Sequence, residues 1–203
     1  MVVTGLFLDL AKAFDSVDHG LLLRKLECAG IRGVTNQLFV SYLSNRFQYV
    51  SANGFDSSKL VMTFGVPQGS VLGPLLFLIF INDLYKLPIT SKPYLYADDT
   101  SLFTSSICIA SNVSQINGDL KLISEYFKMN KLTLNLNKCK VVHFRSPRKQ
   151  IGAVPDIVVD GIKVESVASI KCLGIVLDSH LNWNCHVTEL CNKISSQIGI
   201  IRR

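Results

Sequence analysis

The chain has no apolar run long enough to cross a membrane. Its longest, Val71 to Ile81, contains Gly73 and Pro74 and stops at Asn82-Asp83. That falls well short of the ~18 residues a spanning helix needs, so no membrane partner is expected. A targeting segment is missing too. Met1-Val2-Val3 runs straight into a strand-like stretch, with no basic n-region and no cleavage site. There is no internal repeat and no low-complexity tract. The six cysteines, at positions 28, 108, 139, 172, 185 and 191, contain no C-x-x-C pair. His186-x4-Cys191 has the spacing of half a zinc knuckle, but the upstream cysteine pair is absent. Zinc is therefore not expected, and the thiols read as buried and reduced in an intracellular protein. Acid is scarce: 15 Asp and Glu stand against 21 Lys and Arg, for a net charge of +6. That balance fits a polyanionic partner.

What is present is apolar for its size. The 203 residues are 48% hydrophobic, with a mean hydropathy of +0.32. This is one domain or slightly more, with faces that expect neighbours. Residues 2–9 read as a buried strand. Residues 18–29 read as a helix with Leu22, Leu26 and Ala29 on one face and Gly30 just past its end. Thr35 is expected to cap a second helix, to about Asn45, with Leu38, Phe39, Tyr42 and Leu43 inward. Residues 46–52 and 59–64 read as a hairpin around Ala52-Asn53-Gly54. The loop Gly65 to Ser70 precedes a helix that starts near Pro74. A helix over 111–129 follows from the spacing of Val113, Ile116, Leu120, Ile123 and Phe127, with Gly118 tolerated. Leu132, Leu134 and Leu136 alternate as in a half-buried strand, and 139–145 forms another. Residues 145–155 form a loop. Strands at 156–165 and 169–177 lead to a helix over 185–201, with Val187, Leu190, Ile194, Ile198 and Ile201 on one face.

Tyr96-Ala97-Asp98-Asp99 sits between the apolar segments PYLY and TSLF. Side chains alternate along a strand, so adjacent aspartates point at one site only at a tight turn. The predicted hairpin, about 93–104, therefore presents acid at its tip. Asp9 ends a second apolar strand. Strand-end carboxylates that converge make a hard-cation site of the kind Mg²⁺ prefers, and two such metals are the general apparatus of polymerases.

Each motif alone is modest, but their order is specific. FLDLAKAFDSVDH (7–19), GVPQGSVLGPLLFLIFINDL (65–84), YADDT (96–100), LTLNLNK (132–138) and KCLGIVLD (171–178) follow one another. This run closely resembles motifs A to E of the reverse transcriptases of non-LTR (LINE-type) retrotransposons, over nearly the whole chain. The resemblance implies that Asp9 and Asp98 bridge two Mg²⁺ ions, with Mn²⁺ as substitute. It makes Asp99 a weaker third carboxylate and the Leu10 carbonyl a backbone ligand. Phe14 matches the steric gate against a 2′-hydroxyl, with a core aromatic as the alternative. Lys12 and Ala13 lie at the nucleotide, and Lys12 reads equally as a solvated lysine. Gln68 and Gly69 match the motif B pair beneath template and nucleotide. Lys138 matches a general acid for pyrophosphate, or else a surface lysine. Tyr96 lies at the nucleic acid. Leu173-Gly174 matches the primer grip, with a plain turn as the alternative. Asp15 and Asp18 read as caps or ion-pair partners.

Three departures from the family pattern stand out: Cys139 for threonine, Cys172 for an aromatic, and Tyr126-Phe127 where many relatives carry tryptophan. The implied fold is α+β, a right-hand polymerase palm with an antiparallel sheet and helices on one face. Residues 1–180 would be palm and 181–203 the start of a thumb. Fingers segments and an endonuclease are expected to lie outside this chain. RNA template, DNA primer and deoxynucleoside triphosphates are the implied partners. The intact parent would work in the nucleus and cytoplasm. Two other readings stay open: a catalytically incompetent remnant that at most binds nucleic acid, and a group II intron-type or telomerase-like enzyme, which shares YADD.

Overall fold

The computed structural model describes residues 1–202. The chain opens with strand β1 (Val2–Leu8), then helices α1 (His19–Cys28) and α2 (Gly33–Leu43). Four two-residue strands follow: β2 (Phe47–Gln48), β3 (Ser51–Ala52), β4 (Phe55–Asp56) and β5 (Leu60–Val61). Helix α3 (Leu72–Ile81) leads to β6 (Lys92–Tyr96), β7 (Asp99–Ser106) and the long helix α4 (Ile109–Met129). Then come β8 (Lys140–Phe144), β9 (Val158–Val159), β10 (Ile162–Lys163) and β11 (Glu165–Ser166). The chain continues through β12 (Ser169–Cys172), β13 (Ile175–Asp178) and α5 (Asn184–Ile201).

The sheet runs β11-β8-β1-β7-β6, antiparallel throughout except for β11 on β8. Alternation sorts its side chains onto two faces. Leu6, Leu8, Leu102 and Val141 face the helices and join the main core with Leu22 and Leu26 of α1, Phe77 and Phe80 of α3, and Ile116 and Ile123 of α4. Burying each such side chain contributes about 1.5–3 kcal/mol. Phe7, Val142 and Phe144 face the other way, where Ile170, Cys172 and Leu177 of the β12–β13 hairpin cover them. The helices therefore occupy one face and a hairpin part of the other.

Local chemistry fixes the element ends. Asp18 caps α1 by accepting from the Leu21 amide at 2.8 Å. Asn53 and Gly54, both with positive φ, turn the β3–β4 hairpin. A buried network crosses the helix side of the sheet. Asn112 donates to the Val2 carbonyl at 3.0 Å and to Thr4 Oγ1 at 3.2 Å, and Thr4 Oγ1 lies 3.0 Å from His143 Nδ1.

Three expectations are corrected. Thr35 lies inside α2, which begins at Gly33. Leu38 is 65% exposed, because it lies off the inward stripe of α2, which is Phe39, Tyr42 and Leu43. The 132–136 segment is not a strand but makes one bridge, Leu10 to Leu134. Both edges of β1 are already taken by β7 and β8, so this segment meets only the chain beyond β1. The face of α5 carrying Val187, Leu190, Ile194 and Ile198 stands about half exposed. Among the described residues, no helix is long and apolar enough to cross a membrane.

Candidate active site

The β1–β7 ladder pairs Phe7 with Ser101 and Leu8 with Thr100. One further step sets Asp9 across from Asp99, on the face turned away from the helices. On the other side of β7, Tyr96 pairs with Asp99, leaving Ala97-Asp98 as a two-residue turn. Ala97 sits at φ +52°, a region that costs a residue with a Cβ ~1–2 kcal/mol. A strained backbone held by a tight ladder is typical of sites that fix a reacting group.

Asp9 and Asp99 line one cavity of about 120 Å³ with Thr100, Ser101, Lys138, Lys171 and Cys172. Asp98 occupies the turn beside it and is not part of the wall. Among the described residues, no three His, Cys, Asp or Glu side chains are grouped closely enough to hold a metal ion by themselves. The structure thus brings two of the three expected carboxylates, Asp9 and Asp99, to one cavity, and it does not group Asp98 with them.

The electrostatics follow from this crowding. Burial, then the Asp98 and Asp9 charges, push the Asp99 carboxyl above its ordinary range. Burial and the Asp99 charge push the Cys172 thiol up. Lys138 Nζ stands 3.7 Å from Asp9 Oδ2 and is the ammonium facing the acids. Lys171, also on the wall, is engaged by Glu189.

Backbone bonds tie Lys138 to Asp9. The Asn135 amide donates to the Asp9 carbonyl at 2.8 Å, and the Ala11 amide to the Thr133 carbonyl at 2.8 Å. Asn135 in turn accepts from the amides of Lys138 at 3.0 Å and Cys139 at 3.1 Å. Leu10 is the non-bonded member of this bridge, so its carbonyl points away from 133–135. Its side chain is buried.

A second lock joins the loop after β1 to the loop before α3. The Gly65 amide donates to the Val17 carbonyl and the Val66 amide to the Phe14 carbonyl, each at 2.8 Å. His19 Nε2 donates to the Gly65 carbonyl at 2.7 Å. Gly65 has φ +86°, and a Cβ there would stand 3.0 Å from Asp15 Cα and its carbonyl oxygen. Gln68 Nε2 donates to Asp15 Oδ1 at 2.9 Å. Gly69, at φ +80°, faces open space. Phe14 is half-buried, its ring tilted over Phe77 at 4.7 Å. Lys12 is exposed at φ +49°. The methyl of Ala13 is buried in the main core, so its backbone is the part left to meet a ligand. Asp18 bridges Lys131 at 2.6 Å besides capping α1, and that ammonium is the main cause of its lowered pKa.

Leu173-Gly174 turns the β12–β13 hairpin with φ +48° and +82°, and Leu173 is exposed. The preceding residues, Ile170 to Cys172, reach the cavity. Tyr96 is exposed beside Asp99. Sequence reading passed over Gly65, His19 and Asn135. The glycine inside GVPQG was the available signal for the first; nothing marked Asn135, whose role is made by its backbone.

A family model for reverse transcriptase (RNA-dependent DNA polymerase) matches residues 2–177. The RNA-directed DNA polymerase from mobile element jockey of Drosophila melanogaster is 33% identical over 205 residues, covering 96% of this chain and 22% of that protein. The probable RNA-directed DNA polymerase from transposon BS of the same fly is 34% identical, with the same two shares. The chain spans about a fifth of the length of these curated relatives. Among solved structures, apo telomerase from Candida tropicalis, truncated from its C-terminal domain, superposes with a TM-score of 0.58 at 11% identity. That match covers 90% of this chain and 35% of the other, and the shared architecture is the right-hand polymerase fold. Motif order, family match and fold agree: the chain belongs to the reverse transcriptase (RNA-dependent DNA polymerase) family, of the non-LTR retrotransposon type.

Proposed function

We propose that this chain is the catalytic palm of an RNA-directed DNA polymerase. It would add deoxynucleotides to a DNA primer 3′-hydroxyl on an RNA template. Residues 1–180 form the palm and 181–203 begin a helical thumb. The observation that carries the reading is the shared cavity: Asp9 and Asp99, from separate strands, face it with Asp98 at its edge and one facing ammonium.

The donor chemistry fits hard divalent cations. Asp9, Asp98, Asp99 and the Leu10 carbonyl offer oxygen alone, while Cys172 is held as a neutral thiol. These four groups would hold Mg²⁺, or Mn²⁺ in its place. Two ions so held supply activation of the 3′-hydroxyl and neutralise charge gathering on the leaving pyrophosphate. The chain's own groups do the positioning. Phe14, backed by Phe77, meets the 2′ position of the incoming sugar. Gln68, with its amide oriented by Asp15, lies beneath template and nucleotide with Gly69. Lys12 and the Ala13 backbone border the triphosphate, and Lys138 donates a proton to departing pyrophosphate. Tyr96 and Leu173-Gly174 flank the primer. The +6 charge favours the nucleic-acid backbone.

The test is primer extension by the purified chain on a primed RNA template, with deoxynucleotides and Mg²⁺, beside Asp98→Asn. Template-directed addition, even of one nucleotide, that disappears in the variant supports the proposal. Salt-sensitive nucleic-acid binding with no Asp98-dependent addition would favour the reading of a binding module instead.

A further inference from the structure

Lys138 invites a question that the general-acid role does not answer: what it does before any nucleotide arrives. Its Nζ lies 3.7 Å from Asp9 Oδ2, near enough to neutralise the carboxylate but beyond hydrogen-bond distance. Its side chain is 68% exposed. Lys171, the other cation on the cavity wall, is held by Glu189. Asp99 is destabilised as an anion by burial and by its two acidic neighbours. The cavity therefore holds excess negative charge and one loosely held ammonium.

Its base is better fixed than its tip. Lys138 and Cys139 both donate backbone bonds to Asn135, whose own amide is bonded to Asp9. Cys139 is fully buried. The backbone thus stays registered with Asp9 while the long flexible side chain can swing.

Resting on the cation-site reading above, we propose that Lys138 is the resident counter-ion of Asp9, standing where a divalent cation would bind and exchanging with it. Lys138 steadies the acids while the site is free of metal. It leaves Asp9 when a cation takes the carboxylate, and its ammonium is then free within the same cavity for a phosphate. The one side chain serves two anions in turn, so the basic group is unpaired only when cation is present. An exposed pair of this kind couples weakly, and the exchange is correspondingly easy.

The competition is measurable without catalysis. Mn²⁺ binding to the 203-residue chain would be followed by electron paramagnetic resonance, with no nucleotide present. Compared with wild type would be Lys138→Met, Lys138→Arg, Asp9→Asn and Lys163→Met. The last removes the same charge from a lysine paired with Asp156, away from the cavity. Lys138→Met is expected to bind Mn²⁺ roughly two- to five-fold tighter, the fold-change that corresponds to an exposed ion pair. Lys138→Arg and Lys163→Met should stay near wild type, and Asp9→Asn should weaken binding. Unchanged or weaker binding in Lys138→Met, with Asp9-dependent binding intact, overturns the exchange and leaves the cation site standing. An equal gain in Lys163→Met reduces the effect to net charge and also overturns it. Binding indifferent to Asp9→Asn would fell the cation-site reading itself, and the exchange with it.

Discussion

Replacing Gly65 with alanine should loosen the joint that holds the loop after β1 to the loop before α3. Two separate costs follow from its surroundings. At φ +86° a Cβ is disfavoured by ~1–2 kcal/mol. The same Cβ would stand 3.0 Å from Asp15 Cα and carbonyl oxygen, which are backbone atoms and cannot rotate aside. Overpacking against an immobile neighbour costs ~1–3 kcal/mol. Together they give a loss of ~2–5 kcal/mol, with ~2–4 °C of Tm for each kcal/mol in a domain of this size. Gly69 is the natural control: its φ is +80°, but nothing stands within 4 Å of the site of a Cβ. Gly69→Ala should show the backbone cost alone, ~1–2 kcal/mol. Urea unfolding of both variants, at equal m-values, isolates the difference. If Gly65→Ala is no less stable than Gly69→Ala, the close approach of the two loops does not constrain the protein and the reasoning fails.

Other consequences concern charge and specificity. Burial and then the Arg145 charge lower the pKa of His143. Its unfolded form protonates first on acidification, so stability should fall as pH drops below the ordinary imidazole value of 6.5. His143→Gln should flatten that slope in melting curves taken between pH 7 and 5. Asp99 has a raised pKa, so its charged form costs stability above that pKa and nothing below the unfolded value. Asp99→Asn should therefore melt higher than wild type at pH 7 in chelator, with the gain vanishing on acidification through the carboxylate range. Phe14→Val should lose ~0.5–1.5 kcal/mol of contact with Phe77. In any extending form of the enzyme it should also raise ribonucleotide incorporation relative to deoxyribonucleotide; unchanged sugar selectivity would leave Phe14 a core residue only.

Much of the fold was legible because periodicity reports burial directly. The α4 spacing, the Asp18 cap region with Gly30 after α1, and the hairpin around Asp98 all reflect local chemistry. Leu132, Leu134 and Leu136 misled because alternation marks a half-buried extended segment, not a ladder partner. Whether a partner edge is free depends on β8, which comes later in the chain. Thr35 was a plausible cap, but α2 begins at Gly33, three residues and so nearly a full turn earlier than that cap would allow. At the site, Asp9 and Asp99 could be placed together from strand ends and the turn. The Asp15–Gln68 bond, the Gly65 contact and the Asn135 link to Asp9 join residues distant in sequence, so no local pattern announces them. Ala13 was assigned by neighbourhood within its motif, and the core claims its side chain instead.

The most direct test of the central claim is where a divalent cation sits on this chain. Mn²⁺ added below stoichiometry to isotopically labelled protein broadens the amide resonances nearest to it. The account predicts loss of Asp9, Asp98 and Asp99 first, then Thr100, Ser101 and Lys138, with recovery when excess Mg²⁺ is added. Asp156 and Asp160, acids paired with lysines elsewhere on the surface, should persist. Broadening centred on those surface acids, or spread evenly over all of them, would contradict the account.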